Sequence, residues 1–254
     1  MTGVVVSELH AAYGSRVVLR DICGVFPAGA VTFVLGPNGS GKSTLLRVLG
    51  GGMPFSGSVR VGETELSSLP ARRRGRLVGV VTQSPTVSFP FTVREVVEMG
   101  RLPHRRFLRG MSDGDGAAVR CAIDAMELGD LLSRRVPALS GGERQRAVIA
   151  QVIAQDTEVI LLDEPSSALD PRHTLRLFRF LGAAAAAGRT VVAAVHDINL
   201  AAEFGDRVWI LKDGALVASG TVEGTLTKDI LSEVYDVPFE SVGRGRGKNI
   251  WRAV

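Results

Sequence analysis

The sequence is poor in cysteine and in aromatic residues, and it has no long apolar run. Only two of its 254 residues are cysteine, Cys23 and Cys121, and they form neither a C-x-x-C pair nor a disulfide framework. No stretch approaches the roughly 18 consecutive apolar residues that span a bilayer. Residues 1–8 lack the basic segment and apolar core of a secretion signal. We therefore expect a soluble, cytosolic chain.

A large charge of either sign is also missing. The net charge is only +4, and nearly all of the basic residues are arginine. Two arginine clusters, at 72–76 and 244–248, have no interleaved aromatic residues of the kind that stack on bases. The composition therefore favours a solvated basic surface over a nucleic-acid or anionic-membrane site, and we predict no nucleic-acid partner.

A glycine-rich loop at residues 36–44 follows the apolar run 31–35 and precedes a helical pattern. A strand that leads into such a loop and then a helix is typical of a phosphate site, because glycines let backbone N–H groups converge on one anion. Lys42 supplies a positive charge for the β- and γ-phosphates, and the Ser43 hydroxyl can ligate Mg²⁺. A glycine-rich turn that matches by chance is the alternative, which the flanking strand and helix disfavour.

Strand and helix patterns alternate along the chain. Buried strands are predicted at 31–35, 77–81, 159–162 and 191–195. Helices are predicted at 43–50, 92–100, 115–128, 143–155 and 171–187. Short antiparallel elements are predicted at 3–9, 17–26, 58–66 and 207–219, the last as a hairpin with Asp213-Gly214 at its turn. The alternation predicts an α/β fold with a mostly parallel sheet and an N-terminal antiparallel β subdomain.

We predict a single domain over residues 1–254. Its nucleotide-binding core comprises 1–87 and 156–220, and a helical subdomain without strand patterns is inserted at 88–155. A short C-terminal tail follows at 221–254.

The predicted strand 159–162 ends in two carboxylates, Asp163 and Glu164. An acid at the carboxyl end of a strand beside a phosphate loop is where a Mg²⁺ ligand is expected, and Asp163 fits that role through the water shell of the metal. Glu164 is one step farther along the chain and is suited to accept a proton from attacking water. A strand end followed by an acidic turn is the alternative, which the phosphate loop in the same chain disfavours.

A second glycine-containing motif, LSGGERQ, occupies residues 139–145 at the start of a predicted helix. Ser140 and Glu143 have the spacing of a capping box, which gives a purely structural interpretation. Adjacent Gly141 and Gly142 are costly for a helix start that needs only a cap. They favour backbone amides that approach an anion at the positive end of the helix.

Taken in order, these motifs resemble the ATP-binding cassette (ABC) transporter ATPases over nearly the whole chain. The resemblance identifies the Walker A loop as Gly36, Pro37, Asn38, Gly39, Ser40, Gly41, Lys42, Ser43 and Thr44. It further identifies an adenine-stacking Tyr13, a Q-loop Gln83, the signature at 139–145, the Walker B pair Asp163-Glu164, a D-loop at 167–170 ending in Asp170, and a switch histidine, His196. The family fold is a RecA-like P-loop NTPase.

The resemblance implies ATP hydrolysis with Mg²⁺. Glu164, His196 and Gln83 would be catalytic, and Ser43, Gln83 and Asp163 would hold the metal. Tyr13 and the Walker A residues would bind the ATP of their own chain.

Family members pack as head-to-tail dimers, so the signature of one chain would complete the site of the other. That assignment covers Ser140, Gly141, Gly142 and Asp170. The expected partners are a second copy of the chain, an integral-membrane permease reached through Gln83, and indirectly an extracytoplasmic substrate-binding protein. The expected location is the cytoplasmic face of the cell membrane, as a peripheral subunit.

Two segments, 88–97 and 99–104, are similar to ATPases of bacterial importers for iron–siderophore complexes, haem or cobalamin. The run Phe-Pro-Phe-Thr-Val at 89–93 favours haem over ferric siderophore. We expect these segments to pack the helical insertion without touching substrate, because substrate contacts lie in the permease and the binding protein.

Other functions stay open: a cobalamin importer ATPase, a non-transport cytosolic ABC ATPase, and a nucleotide-dependent switch without turnover. A coiled-coil insertion or a second cassette would favour the non-transport ATPase, and neither is present in the sequence. The intact Glu164 and His196 disfavour the switch.

Overall fold

The computed structural model describes residues 3–83, 90–105, 110–245 and 248–254. The strands are β1 Val4–Tyr13, β2 Arg16–Phe26, β3 Ala30–Leu35, β4 Ser56–Val61, β5 Thr64–Glu65, β6 Val78–Val81, β7 Val159–Asp163, β8 Thr190–Ala194, β9 Arg207–Lys212, β10 Ala215–Thr221, β11 Phe239–Gly245 and β12 Lys248–Ala253. The helices are α1 Lys42–Leu49, α2 Ala71–Leu77, α3 Val93–Met99, α4 Asp113–Ala125, α5 Gly141–Gln155, α6 Pro171–Ala186, α7 Ile198–Phe204, α8 Val222–Thr225 and α9 Lys228–Tyr235. Among these residues, no helix is both long enough and apolar enough to cross a bilayer.

A six-stranded sheet in the order β10-β9-β3-β8-β7-β6 forms the centre of the molecule. Its strands β9, β3, β8, β7 and β6 are paired in parallel, and only β10 is antiparallel. Every residue of β3, β7 and β8 is buried, as expected for strands covered by helices on both faces. The predicted mostly parallel sheet is confirmed, and Asp213-Gly214 forms the predicted hairpin turn between β9 and β10 with both residues at positive φ.

A second, antiparallel sheet has the order β2-β1-β4-β5, which confirms the predicted N-terminal β elements. Its inner face shares one apolar cluster with α1 and with one face of the central sheet. Phe26 of β2 stacks on Trp209 of β9 with ring centroids 4.0 Å apart. This packing places β2 directly beside the loop that joins β3 to α1.

The insertion between β6 and β7 is helical in its described part, as predicted. Its segment 99–104 connects three helices: the Arg101 guanidinium donates to Asp115 Oδ1 at 2.8 Å and to Ala154 O at 2.7 Å. A Cβ on Gly100 would lie 2.1 Å from Gln151 O, so only glycine allows this approach. The described segment therefore packs the insertion internally, as we expected, while residues 88 and 89 of the segment 88–97 lie outside the described residues.

The arginine cluster at 72–76 lies on α2, a helix that the sequence analysis missed. Arg72 and Arg76 are exposed, but the Nε–H of each donates to Pro103 O, at 3.1 and 2.8 Å. The interpretation of this cluster as merely solvated surface is therefore wrong in part, because two of its guanidinium groups connect the core to the helical insertion.

The described residues of 221–254 have more regular structure than the short tail expected from the sequence. They form α8, α9 and the two-stranded sheet of β11 and β12. Leu231, Val234, Phe239 and Trp251 are buried and belong to the main apolar cluster. The elements are short, so their apolar residues are too few to produce a clear period in the sequence.

Candidate functional site

The glycine-rich loop lies where β3 leaves the central sheet, and two of its glycines have no room for a side chain. Gly36 has φ 143° and a Cβ there would lie 2.0 Å from Leu211 O. Gly41, at φ 105°, would place a Cβ 2.7 Å from a Leu19 methyl group. Gly41 also precedes the first turn of α1, so the free N–H groups of that turn face the loop. This is a backbone cradle for an anion.

Lys42 is buried and is held within the loop. Its Nζ donates to Gly36 O at 2.7 Å and to Pro37 O at 3.0 Å. Burial lowers the pKa of the Lys42 ammonium group, and the nearby carboxylates of Glu164 and Asp163 oppose that effect. The loop thus carries a positive charge that two of its own carbonyl oxygens orient.

Ser43 and Asp163 bring two oxygen groups together from α1 and from the end of β7. The Ser43 hydroxyl donates to Asp163 Oδ1 at 3.1 Å. Burial raises the pKa of the Asp163 carboxyl group, and the bond from Ser43 acts in the opposite direction. Among the described residues there is no cluster of three His, Cys, Asp or Glu that could hold a metal. The oxygen pair suits Mg²⁺, which typically takes only one or two protein ligands and completes its shell with water and phosphate oxygens.

Glu164 and His196 form a close pair at the next step along the sheet edge. Glu164 Oε1 lies 2.7 Å from His196 Nε2, with the Glu164 side chain 9% exposed and that of His196 52% exposed. Burial, opposed by Lys42 and assisted by Asp163, raises the pKa of Glu164 to about 7. Burial lowers the pKa of His196. A carboxyl group that titrates near neutral pH is suited to accept a proton.

The backbone of Glu164 is held in an uncommon conformation. Its φ is 51°, a left-handed value that carries strain for a residue with a side chain. Glu164 N donates to Ala194 O at 3.0 Å, and the Ser167 hydroxyl donates to Glu164 O at 3.0 Å. Gln145, buried in α5, donates to Pro165 O at 3.3 Å. The sequence analysis gave Gln145 no role of its own, although it belongs to the motif at 139–145.

One cavity of about 460 Å³ collects most of the predicted nucleotide residues. It is lined by Tyr13, Arg16, Val18, Asn38, Gly39, Gly41, Lys42, Ser43, Thr44, Gln83, Glu164 and His196. The hydroxyl of the half-exposed Tyr13 accepts from Arg47 Nη1 at 3.1 Å. The structure thus brings five separate segments of the chain to one cavity.

The predicted residues Gly36, Pro37 and Ser40 do not line this cavity but support the loop from inside. Ser40 N donates to Pro37 O at 3.2 Å, and Gly214 N donates to Ser40 O at 3.2 Å. Arg16 and Val18 line the cavity but were missed, since nothing in the local pattern separates them from ordinary residues of a strand. The position of Arg16, three residues after Tyr13, is the one signal that could have pointed to it.

Ser140, Gly142 and Asp170 line a different cavity of about 280 Å³. It is also lined by Glu143, Arg146, Ala168, Leu169 and His173. Gly141 is exposed at the start of α5. Within one chain, therefore, the motif at 139–145 and the phosphate loop belong to separate cavities.

The capping box at the start of α5 is present, which confirms the structural interpretation of Ser140 and Glu143. Ser140 N donates to Glu143 Oε2 at 2.9 Å, and Glu143 N donates to Ser140 Oγ at 3.3 Å. Gly142 has a structural reason as well, because a Cβ there would lie 2.8 Å from Ala168 O. Close packing against the segment 167–170 thus requires a glycine here, a reason that the sequence analysis did not identify.

Asp170 caps α6 and connects it to the helical insertion through His173. Its Oδ1 accepts from His173 N at 2.8 Å, and Oδ2 lies 2.8 Å from His173 Nδ1. The other ring nitrogen lies 3.5 Å from Glu127 Oε2, while Arg172 and Arg176 each contact Glu127 Oε1 at 2.8 Å. The hydrogen bonds from His173 lower the pKa of Asp170, so this carboxylate stays ionised and structural.

The chain is similar to known proteins in family, in sequence and in structure. The model of the ABC transporter family matches residues 19–167. The hemin import ATP-binding protein of Nocardia farcinica is 40% identical over 94% of this chain and 82% of its own length. That of Streptomyces coelicolor is 42% identical over 91% and 82%. The iron(3+)-hydroxamate import ATP-binding protein of Bacillus subtilis is 33% identical over 95% and 91%.

Two solved structures extend the likeness to the fold. A metal-chelate type ABC transporter in an inward-facing conformation aligns with a TM-score of 0.83 and 27% identity, covering 100% of this chain and 97% of its own. A bacterial ABC transporter cassette described as dimeric aligns with a TM-score of 0.76 and 28% identity, covering 86% and 98%.

Proposed function

The chain belongs to the ABC transporter family and is an ATPase, and from this premise we propose that it powers a bacterial importer of iron chelates, with haem as substrate. The observation that carries the hydrolysis part of this proposal is the Glu164–His196 pair beside the phosphate loop, with a pKa of about 7 for Glu164. An ionisable base at that position is what hydrolysis requires and what a binding switch without turnover does not need.

The residues around the nucleotide cavity would have separate roles. Residues 36–44 would hold the phosphates of ATP through their amides and Lys42, with the adenine on Tyr13. Mg²⁺, held by Ser43, Asp163 and Gln83, would neutralise charge that develops on the phosphates. Glu164 would take the proton of the attacking water. His196, whose Nε2 lies 2.7 Å from Glu164 Oε1, would orient that water and the γ-phosphate.

A second copy of the chain would complete the site. Ser140, Gly142 and Asp170 line a cavity separate from the phosphate loop, and Gly141 is exposed beside them, so within one chain they cannot touch the same nucleotide. A head-to-tail pair would bring the amides at the start of α5 to the γ-phosphate of the partner's ATP. The dimeric cassette to which this fold aligns supports that arrangement.

The remaining assignments concern the membrane complex. We infer that two copies bind an integral-membrane permease at the cytoplasmic face of the cell membrane, with a substrate-binding protein on the far side. Gln83, exposed at the edge of the nucleotide cavity, would relay nucleotide state to the helical subdomain at 88–155 and to the permease. The core at 1–87 and 156–220 would hold the nucleotide, with residues 221–254 packed behind it.

Haem is favoured as substrate over ferric siderophore. Relatives named for hemin import are 38 to 42% identical to the chain, whereas those named for siderophore or ferric hydroxamate transport are 33 to 35% identical. A cobalamin importer and a non-transport ATPase are the alternatives, and neither is named among these relatives.

The test is reconstitution of the chain with a candidate permease in proteoliposomes. Phosphate release is measured with the binding protein loaded with haem, with a ferric hydroxamate or with cobalamin. We expect haem to stimulate hydrolysis most. Equal rates with all three ligands would overturn the substrate assignment. A wild-type chain that releases phosphate but never joins a permease would favour the non-transport ATPase.

A further inference from the structure

The first amide of the phosphate loop is paired with a side chain from the far end of the sequence. Gly36 N donates to the Tyr235 hydroxyl at 3.2 Å, across a separation of 199 residues. The carbonyl of the same glycine accepts from Lys42 Nζ at 2.7 Å. One residue of the loop therefore connects Tyr235 on one side to the lysine of the nucleotide site on the other.

Packing also restricts the backbone of Gly36, independently of this hydrogen bond. Its backbone passes so close to β9 that a Cβ would lie 2.0 Å from Leu211 O. The peptide is thus enclosed between the end of β9 and the Tyr235 hydroxyl. If the hydroxyl is removed, the N–H loses its partner while the chain around it cannot easily turn to find another.

Tyr235 is itself firmly placed. It ends α9, whose residues Leu231 and Val234 are fully buried in the main apolar cluster. Its ring packs against Phe239 with centroids 5.6 Å apart. Burial raises the pKa of the Tyr235 hydroxyl, so the group stays neutral at physiological pH.

A lysine ties the end of α9 to the strand beside the loop. Lys212, the last residue of β9, donates to Glu233 O and to Asp236 Oδ1, both at 2.7 Å. The same strand end supplies Leu211 O against Gly36. Helix α9, the end of β9 and the phosphate loop therefore form one connected unit.

We propose that Tyr235 is a positioning residue for nucleotide binding, which holds the Gly36 peptide so that the loop and Lys42 keep the shape that receives phosphate. This inference rests on the proposed function of residues 36–44 as the ATP phosphate site. It gives the C-terminal segment a task in the reaction, through a residue that does not line the nucleotide cavity. Because the loop contacts phosphate throughout the reaction, the loss falls on KM and on Kd, and kcat is maintained.

The test is Tyr235→Phe in the full chain, which keeps the ring and removes only the hydroxyl. We expect the Kd for MgATP and the KM to rise by roughly tenfold, as one unpaired buried N–H implies, with kcat within about twofold of wild type. Amide hydrogen exchange gives a readout besides activity: the Gly36 N–H should exchange faster in the variant.

Ser232→Ala is the matched control. It also removes one side-chain oxygen that accepts from a backbone N–H, that of Phe239 at 2.9 Å, but neither residue of this hydrogen bond belongs to the phosphate loop. We expect it to lower the melting temperature while Kd stays at the wild-type value. A Tyr235→Phe protein that behaves like this control, with unchanged Kd and unchanged exchange at Gly36, would overturn the inference.

Lys212→Met is the second variant, for use if Tyr235→Phe does not fold. It releases the end of α9 from β9, and we expect a weaker MgATP affinity in the same direction. Wild-type affinity in that variant would again overturn the inference. Failure of the proposed function looks different, because the wild-type chain itself would then not bind MgATP.

Discussion

The phosphate-loop half and the signature half of the site are built in opposite ways. The first half lies at the carboxyl ends of buried strands, and burial raises the pKa of its carboxyl groups, Asp163 and Glu164. The second half lies at the exposed starts of two helices. There, hydrogen bonds from Ser140 and His173 lower the pKa of Glu143 and Asp170. These four acids have similar intrinsic pKa values, and their surroundings raise the pKa of two of them and lower that of the other two.

From this difference we infer that proton transfer belongs to the phosphate-loop half and that the signature half positions groups. A carboxyl group with a pKa near 7 can exchange a proton during turnover, whereas a cap with a lowered pKa stays ionised and holds a helix in place. We therefore propose that the buried half supplies the base, and that the exposed half supplies backbone N–H groups to the site of a partner chain. Four experiments test this difference between the two halves.

The largest effect is expected from Glu164→Gln. Loss of the base should lower kcat for phosphate release by roughly 10²- to 10⁴-fold, while ATP binding is retained and an ATP-bound dimer accumulates. Glu143→Gln is the matched control in the other half, where we expect only a small loss of stability. Steady-state phosphate release and size-exclusion chromatography with ATP measure both. Wild-type turnover by Glu164→Gln would remove the base assignment.

Ser140→Arg tests whether the exposed half acts on a partner chain. A large cation at the start of α5 should abolish hydrolysis. Lys42→Ala should also abolish hydrolysis, because it removes the positive charge of the phosphate loop. An equimolar mixture should recover roughly a quarter of wild-type activity, because half of randomly paired dimers contain one intact site. If the mixture stays inactive, the two halves do not meet between chains.

Asp115→Asn tests whether the helical insertion can be destabilised without an effect on MgATP binding in the buried half. It breaks the Arg101–Asp115 pair, whose side chains are each 9% exposed, and should lower the free energy of unfolding by about 3 kcal/mol. Asp113→Asn, in the same helical turn but exposed, is the control. Urea unfolding at pH 7 measures the loss. The affinity for MgATP should not change, and a parallel loss of affinity would show that the halves are not independent.

The smallest effect is expected from pH. Glu164 must be deprotonated to act as a base, so kcat/KM for ATP should rise with pH and reach half of its plateau near pH 7. At one unit below that midpoint the rate should be about tenfold below the plateau. A stability effect of opposite sign accompanies it: because the folded-state pKa lies above the ordinary value, this group favours folding at low pH and loses that contribution as pH rises from about 4.5 to 7.

A flat profile of kcat/KM from pH 6 to 8 would contradict this pKa. Residual activity of Glu164→Gln serves as the reference, because the acidic limb should be absent from it.

Much of the fold was predictable because its patterns are long or repeated. The strands β3, β7 and β8 are continuous apolar runs, since helices cover both faces of the sheet. Helix α2 and the elements after residue 220 were missed. An arginine-rich helix of seven residues shows no apolar period, and the short C-terminal elements are stabilised by packing on a distant part of the core.

The site divides in the same way. The phosphate loop, the carboxylates and the motif at 139–145 are local, so spacing along the chain was sufficient to identify them. Gln145 and Tyr235 were not identifiable as contributors, because each contacts a group distant in sequence: the carbonyl of Pro165 and the amide of Gly36. Arg16 lines the nucleotide cavity, and its spacing from Tyr13 was the only local signal for it.

The sequence by itself therefore determined the chemistry available to this protein: a backbone cradle for phosphate, a lysine, two acids at a strand end and a histidine. Local backbone preferences are sufficient for that, since a glycine loop and a strand end form from neighbouring residues. The tertiary structure adds the burial that raises the pKa of Glu164 beside Lys42, a residue far along the chain, whereas the hydrogen bonds that lower the pKa of Glu143 and Asp170 are local. It also places the phosphate loop and Ser140 in separate cavities of one chain, which supports the proposal that the glycine loop is one half of a site.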